Sequence, residues 1–244
     1  RGVTSLSSQN HGYTIGGGTG SASIVSRLDF TSDILAQAPK ASYQYTTGSA
    51  AAATGNESFG YISGGGYPYR TSIDRLDYSN DLTSMFLKGN LGTVRARHAA
   101  AGNSSFGYYA AGGAPSPRLS SVERIEYASD TATASPKGPL IYSFYSSATG
   151  NSSYGYWTQG SSGSKTAIGR LEYASDTTTA SPKGPLSLSR FDTGALSSRI
   201  NGFSSTASNA LPIDKSATGV EVFGPAFGYG SGGHAPVIST TSRI

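Results

Sequence analysis

A Gly-Tyr dipeptide returns along this chain at an almost constant interval, and that recurrence limits the fold more than any other feature. It stands at Gly12-Tyr13, Gly60-Tyr61, Gly107-Tyr108 and Gly155-Tyr156, with echoes at Gly202-Phe203 and Gly228-Tyr229. The first five anchors follow one another at steps of 48, 47, 48 and 47 residues. A chain made of copies of so short a unit buries its apolar surface between neighbouring copies, because one unit cannot complete a core alone.

The third copy shows the unit most clearly. Arg97 to Asn103 leads to Phe106-Gly107-Tyr108-Tyr109-Ala110-Ala111-Gly112-Gly113, then to Ser121-Val122-Glu123-Arg124-Ile125-Glu126-Tyr127 and Thr131 to Ser135, before Lys137-Gly138-Pro139-Leu140. Each phrase has the length of one strand. In the third, Ile125 and Tyr127 share one face and Arg124 and Glu126 the other, and Leu28/Phe30, Leu76/Tyr78 and Leu171/Tyr173 repeat the pattern. Such alternation marks a half-buried strand.

The connections agree with four strands per unit, a, b, c and d. Gly55-Asn56, Gly102-Asn103 and Gly150-Asn151 suit a tight a-b hairpin, because Gly and Asn tolerate positive φ. After c come Ser32-Asp33, Asn80-Asp81, Ser129-Asp130 and Ser175-Asp176, short polar pairs able to bond their own backbone. Gly138-Pro139 and Gly184-Pro185 end strand d. With 33 Gly, 11 Pro and no helical apolar period, the expected class is all-β. Four antiparallel strands repeated around a ring make a β-propeller, which leaves only short, protected edges.

The order of Arg, small apolar run, turn, aromatic-Gly-Tyr, Gly-Gly, variable loop, Val-Glu-Arg-Ile-Glu-Tyr and Ser-Asp-Thr resembles the kelch repeat over residues 1 to about 190. It departs from that pattern at Gln37, Ser84, Thr133 and Thr179, where kelch blades carry Trp, and at Gly160-Ser161, where the second Gly is replaced. The near-identical phrases that begin at Asp130 and Asp176 also resemble repeat proteins of phages and viruses of marine microbes. The resemblance implies a kelch-like propeller, and a virion or extracellular setting.

We read residues 1–244 as one domain, with repeats at about 1–45, 46–94, 95–142 and 143–189 and a degenerate 190–244. Gly228 to Ile244 matches Gly12 to Leu28 at the same spacing of 16, so the chain is expected to stop inside a unit or to be longer in its natural form. Val220-Glu221-Val222-Phe223 reads as a fifth strand c, or Ser216-Ala217-Thr218-Gly219 as a sixth strand a. Six blades, the last two abbreviated, are the favoured count and five the alternative.

Composition narrows the partners. There is no Cys, so neither disulfides nor a thiolate metal site is available. The excess of 18 Lys and Arg over 14 Asp and Glu is diffuse, with no two basic residues adjacent, and points away from nucleic acid. No apolar run approaches the roughly 18 residues of a membrane span, and the start at Arg1 shows no signal peptide, which is equally expected where one has been removed.

Conventional catalytic signatures are missing, and no cofactor is expected. Arg27, Arg75, Arg124 and Arg170 recur once per unit, as do Asp29, Asp77, Glu126 and Glu172 two positions on and Lys40, Lys88, Lys137 and Lys183. An active site is a single asymmetric constellation, so a set repeated in every unit reads as scaffolding, with each Arg and carboxylate pairing across adjacent strands or blades. His11, His98 and His234 lack partners at ligand spacing. No Gly-x-Ser-x-Gly elbow precedes a helix, and Gly16-Gly17-Gly18-Thr19-Gly20 reads as a strand-end loop. The alternative is a polysaccharide hydrolase, with the unrepeated Asp192 and Asp214 as its carboxylate pair. Asn56, Asn103 and Asn151 match the glycan acceptor pattern, but turn chemistry explains them without sugar.

Function is expected where the copies differ. The b-c and d-a connections of an up-and-down blade emerge on one face, and here they are aromatic and basic. Tyr67, Tyr69, Arg70 and Arg118 follow strand b, while Tyr43, Tyr45, Arg95, His98, Tyr142 and Phe144 lie between d and a. Tyr and Arg on a rigid scaffold suit recognition by stacking and planar hydrogen bonding. The expected activity is therefore non-enzymatic binding of a glycan or a protein on a host surface, or of a neighbouring copy in an oligomer or larger assembly.

Overall fold

The computed structural model describes residues 3–16, 23–30, 38–43, 50–65, 69–82, 84–113, 118–141, 147–158, 166–188, 194–197, 228–231 and 241–243. Among these the chain is β throughout, apart from one-turn 3-10 segments after three of the third strands. The first sheet holds β1 (Val3–Ser7), β2 (His11–Gly16), β3 (Ile24–Asp29) and β4 (Ala38–Ser42). The second holds β5 (Ala51–Gly55), β6 (Phe59–Gly64), β7 (Arg70–Asp77) and β8 (Phe86–Arg95). The third holds β9 (Ala99–Gly102), β10 (Phe106–Ala110), β11 (Val122–Glu126) and β12 (Ser135–Lys137). The fourth holds β13 (Ser147–Gly150), β14 (Tyr154–Thr158), β15 (Ile168–Glu172) and β16 (Ser181–Lys183).

All neighbours within these sheets are antiparallel and in chain order. A further sheet of three strands joins β17 (Gly194–Ser197), β18 (Gly228–Ser231) and β19 (Thr241–Arg243). The last Gly-Tyr anchor thus pairs with residues 194–197, and the strands expected at Ser216–Gly219 and Val220–Phe223 lie outside the described residues. The first strands touch in succession, β1 to β5, β5 to β9, β9 to β13 and β13 to β17, so the sheets are arranged around their first strands.

The core lies between sheets. Ile62 and Leu76 face back into a cluster with Tyr13, Ile15, Val25 and Tyr43, whereas Tyr61 and Ile73 face forward to Tyr109, Ile125 and Tyr127. A third cluster joins Tyr108 and Val122 to Trp157, Leu171 and Tyr173. Burying each such side chain contributes roughly 1.5–3 kcal/mol.

This two-faced packing accounts for the aromatic-Gly-Tyr anchor. On the forward face Phe59 carries the Arg75 guanidinium at 4.2 Å from its ring centre, and Phe106 carries Arg124 at 4.3 Å. The Gly between leaves room on the backward face, where a Cβ at Gly60 would press on the Tyr78 hydroxyl and one at Gly107 on the Tyr127 hydroxyl. Those returning rings stack on the Tyr of the sheet before: Tyr13 on Tyr78, Tyr61 on Tyr127 and Tyr108 on Tyr173, with centroids 5.2, 4.8 and 4.6 Å apart.

The same Tyr donates across the junction. Asp130 Oδ2 accepts from the Tyr61 hydroxyl at 3.0 Å and from Arg75 Nη1 at 2.7 Å. Tyr13 and Arg27 meet Asp81, and Tyr108 and Arg124 meet Asp176, in the same way. Lys137 Nζ lies 3.3 Å from Asp176 Oδ1, and Lys88 Nζ lies 3.9 Å from Asp130 Oδ1. Burial, and then the carboxylate beside each, push all three phenols well above the usual tyrosine range, so they remain donors. The repeated charges are scaffolding, as expected, but the acid partner differs from the expected one. It is the turn Asp of the following sheet, not the strand carboxylate two residues from the Arg; Asp77 instead accepts from Ser79 N at 2.9 Å, and Glu126 is exposed.

Two local expectations also change. The a-b turns do not use positive φ, which among the described residues falls elsewhere. Asn56, Asn103 and Asn151 each accept two backbone N–H bonds through Oδ1, from residues two and three positions on. The Gly before them is needed for space, since a Cβ at Gly55 or Gly102 would run into the carbonyl of Phe59 or Phe106. Strand d begins later than expected in units three and four, at Ser135 and Ser181, because the preceding residues form the turn that carries the clasping Asp.

Gly138, just past β12, tests this packing. Its N–H donates to Asp176 O at 2.8 Å, and an added Cβ would strike the Thr178 carbonyl of the next sheet. Gly138→Ala is expected to lower unfolding free energy by about 1–3 kcal/mol in urea titration. Gly184→Ala, where a Cβ meets nothing within 4 Å among the described residues, is expected to stay within about 0.5 kcal/mol of the parent.

Candidate ligand-binding rim

The b-c and d-a connections meet at one end of the sheets, as the strand pattern requires. Gly65 N donates to Arg95 O at 3.2 Å, Gly113 N to Ala96 O at 3.1 Å and Arg97 N to Ala50 O at 2.8 Å. Left-handed backbone gathers here too. Gly64, Gly65 and Gly112 lie at φ 64°, 131° and 80°, and so do the non-glycines Ala50 at 67°, Arg97 at 57° and Ala111 at 64°. Each non-glycine in this region costs about 1 kcal/mol, which the surrounding hydrogen bonds offset.

Arg95 does not reach solvent. Residues 91–94 of β8 sit opposite Thr71 alone, since Ser72 pairs with Asn90 and Arg70 with Arg95. The bulge turns the Arg95 side chain inward. There Nη1 donates to Ala111 O at 2.9 Å and Ser121 O at 3.0 Å, and Nη2 donates to Ser121 Oγ and Glu123 Oε1, both at 2.7 Å. Gly92 N completes Glu123 by donating to Oε2 at 2.6 Å. The residue read as a ligand contact is a fully buried tie between the second and third sheets.

His98 is buried as well, with Nε2 2.9 Å from Ser63 Oγ. The spacing is that of a nucleophile and its base, but both side chains are closed to solvent and no carboxylate among the described residues meets Nδ1. Burial, and then the Arg95 charge, push the imidazole down to about 3, so it stays neutral. The pair packs the rim and has no access for a substrate. Tyr43 is likewise buried and donates to Gly64 O at 3.2 Å.

The second sheet contains an unusual acid beside this end. Asp74 occupies in β7 the place that Glu123 holds in β11, yet neither of its oxygens has a hydrogen-bond partner and it is 0% exposed. Burial pushes it up to about 6, and the nearby charge of Arg70 offsets that only in part. A carboxyl raised in the folded state is ionised first in the unfolded chain as pH rises. Stability therefore falls between about pH 4 and pH 6 and stays lower above that window. Asp74→Asn is expected to gain about 1–3 kcal/mol at pH 7 and nearly nothing at pH 4, measured by urea unfolding across that range. A gain equal at both pH values would contradict the assignment.

What remains accessible is a smaller set. Tyr69 is 38% exposed, Arg118 is exposed, and Arg70 is half-buried at the start of β7. Tyr45, Tyr67, Tyr142 and Phe144 lie outside the described residues, as do Asp192 and Asp214 of the hydrolase reading. Arg97, absent from the expected set, is exposed on the strained connection, with Val94 at 39% exposure near it in the chain. Its signal in the sequence was its place between Arg95 and His98, two residues that turn inward. Among the described residues no group of three His, Cys, Asp or Glu could hold a metal ion. No helix among them is long and apolar enough to cross a membrane.

No family model matches the chain, and no curated protein matches it. Among solved structures it is similar to the one titled "Structure of YjhT", a kelch-like β-propeller. The TM-score is 0.65 at 10% identity, over 81% of this chain and 70% of that one. The fold is propeller-like. At that identity the likeness carries fold alone, and the sheet order and the packing around first strands agree with it.

Proposed function

We propose that the chain is a non-enzymatic binding or structural module of a virion or extracellular surface, engaging a glycan or a neighbouring subunit through its rim. One observation carries this reading. Three of the four copies of the repeated Tyr and Arg are consumed in the junctions between sheets, whereas Tyr69, Arg97 and Arg118, which differ from copy to copy, are presented where the b-c and d-a connections converge. Aromatic and guanidinium groups on connections tied to the strand ends by backbone hydrogen bonds lose less conformational freedom on binding than groups on a free chain. For the ring itself we infer five sheets in place of the six favoured by the repeat, because the last Gly-Tyr anchor joins β17.

The test is a glycan-array assay on the purified chain and on the triple variant Tyr69→Ala, Arg97→Ala, Arg118→Ala. Selective binding that the variant loses by about tenfold or more supports rim recognition. Binding of equal strength by both proteins contradicts it, and silence across the array moves the reading to subunit contact.

A further inference from the structure

The outer strands of the four-stranded sheets share one register but not one chemistry. Pro39, Pro136 and Pro182 stand opposite Ser26, Glu123 and Gly169, and the same place in β8 is held by Leu87, opposite Asp74. The residue before it is Ser135 or Ser181 in the third and fourth sheets and Phe86 in the second. The residue after the clasping Asp is Thr131 or Thr177 in those sheets and Leu82 in the second. Leu82, Phe86 and Leu87 are 72%, 53% and 51% exposed, so the core does not need them. The third and fourth sheets offer the same clasping Asp with Thr, Ser and Pro at these positions, so the junctions do not call for three large apolar side chains there.

Proline also decides what such an edge can do. On an outer strand it removes the N–H that a further strand would use, which keeps the edge from pairing. Leu87 has that N–H. Met85, two residues earlier and so turned the same way, donates outward to Ser42 O of the first sheet at 3.1 Å, and Gly89, two residues later, lies against the Asp130 and Ala132 carbonyls. The Leu87 N–H and carbonyl lie between these two contacts and point away from β7. Phe86 and Leu87 project to opposite faces of the strand and so flank that open position. We propose that this edge is a two-fold interface between two copies of the chain, in which β8 pairs antiparallel with β8 about Leu87. The other edges identify the occupant. In a second copy β4, β12 and β16 carry Pro at the matching place and cannot return the bond, whereas β8 returns it and closes the pair. In that register Phe86 lies opposite the partner's Lys88, and within each copy the Lys88 ammonium already lies 3.9 Å from Asp130. A ring therefore meets a cation and no like charges are opposed. The interface sits at the end of β8 away from Arg95 and the rim, and it does not depend on the function proposed for the rim.

One strand pair is a small interface, so a weak monomer–dimer equilibrium is expected from sedimentation velocity of the full chain between about 1 and 300 μM. Its dissociation constant is expected to rise at least about tenfold with Leu87→Pro, and with the pair Leu82→Thr, Phe86→Ser, all of which take the residues of the third sheet. The chain has no Cys, so Leu87→Cys supplies a single thiol. Residues that face each other across an antiparallel pair have Cα atoms about 5.5 Å apart, within reach of a disulfide. Mild oxidation is therefore expected to link Leu87→Cys into a dimer and to leave Leu188→Cys, which is 56% exposed, monomeric. This second arm does not depend on how the proline variant folds. A monomer throughout the range, a dimer unaffected by Leu87→Pro, or a dimer that Leu87→Cys does not link overturns the interface while leaving the rim reading untouched.

Discussion

Arg95→Ala is expected to lower unfolding free energy by about 3–5 kcal/mol at pH 7. The guanidinium is 0% exposed and makes four hydrogen bonds, to two carbonyls, a hydroxyl and Glu123. Removing it leaves a carboxylate that is 4% exposed, with the Gly92 N–H as its remaining donor among the described residues. The cost of that stranded charge exceeds the net worth of the pair itself. The double change Arg95→Met, Glu123→Gln is therefore expected to lose less than Arg95→Met alone, and urea unfolding of the three proteins measures it. A loss below about 1 kcal/mol for Arg95→Ala would show that the bulge of β8 does not hold the side chain inward.

Asp176→Ala is expected to cost about 2–4 kcal/mol, the second largest effect. One carboxylate oxygen receives Tyr108 at 2.9 Å and Arg124 at 2.7 Å, and the other faces Lys137 at 3.3 Å. Hydrogen bonds to a charged group are worth about 1.5–3 kcal/mol each when buried. The Arg124 side chain is 24% exposed, which discounts its share, whereas Tyr108 has no solvent to turn to. Asp176→Asn keeps an acceptor for the phenol and is expected to lose about half as much. Equal losses for Ala and Asn would place the energy in the charge alone.

The repeat made the architecture legible, and the physical reason is that each strand of a blade is half-buried on a fixed face. The alternation in Glu123-Arg124-Ile125-Glu126-Tyr127 is enough to send Ile125 and Tyr127 inward and Glu126 outward. Contacts between units were less legible. Arg27 and Asp81 are 54 residues apart, and local spacing suggested the nearer carboxylate two positions along the strand. The rim was misread for a different reason. Arg95 and His98 stand in a stretch that reads as a polar connection, but the extra residues of β8 keep it a strand as far as Arg95 and turn that side chain toward the core, while His98, just before β9, is buried against Ser63. Strand alternation cannot be read through a bulge, because each inserted residue reverses the face of every residue after it. Arg97, past the end of β8 and at φ 57°, is exposed between them.

Asp74 shows a further limit. Its position matches Glu123, whose partner is supplied by a bulge in the sheet before, and nothing in the order of residues says whether an equivalent donor is present. A buried acid without a partner is visible only once neighbouring sheets are packed.

The measurement that bears most directly on the clasp between sheets is a double-mutant cycle on Arg124→Met and Asp176→Asn, read by equilibrium unfolding, with Arg170→Met as comparator. A coupling of about 1 kcal/mol or more is expected between Arg124 and Asp176, and a loss under about 0.5 kcal/mol for Arg170→Met. Additivity of the first two changes within about 0.3 kcal/mol, or an Arg170→Met loss as large as that of Arg124→Met, would contradict the clasp.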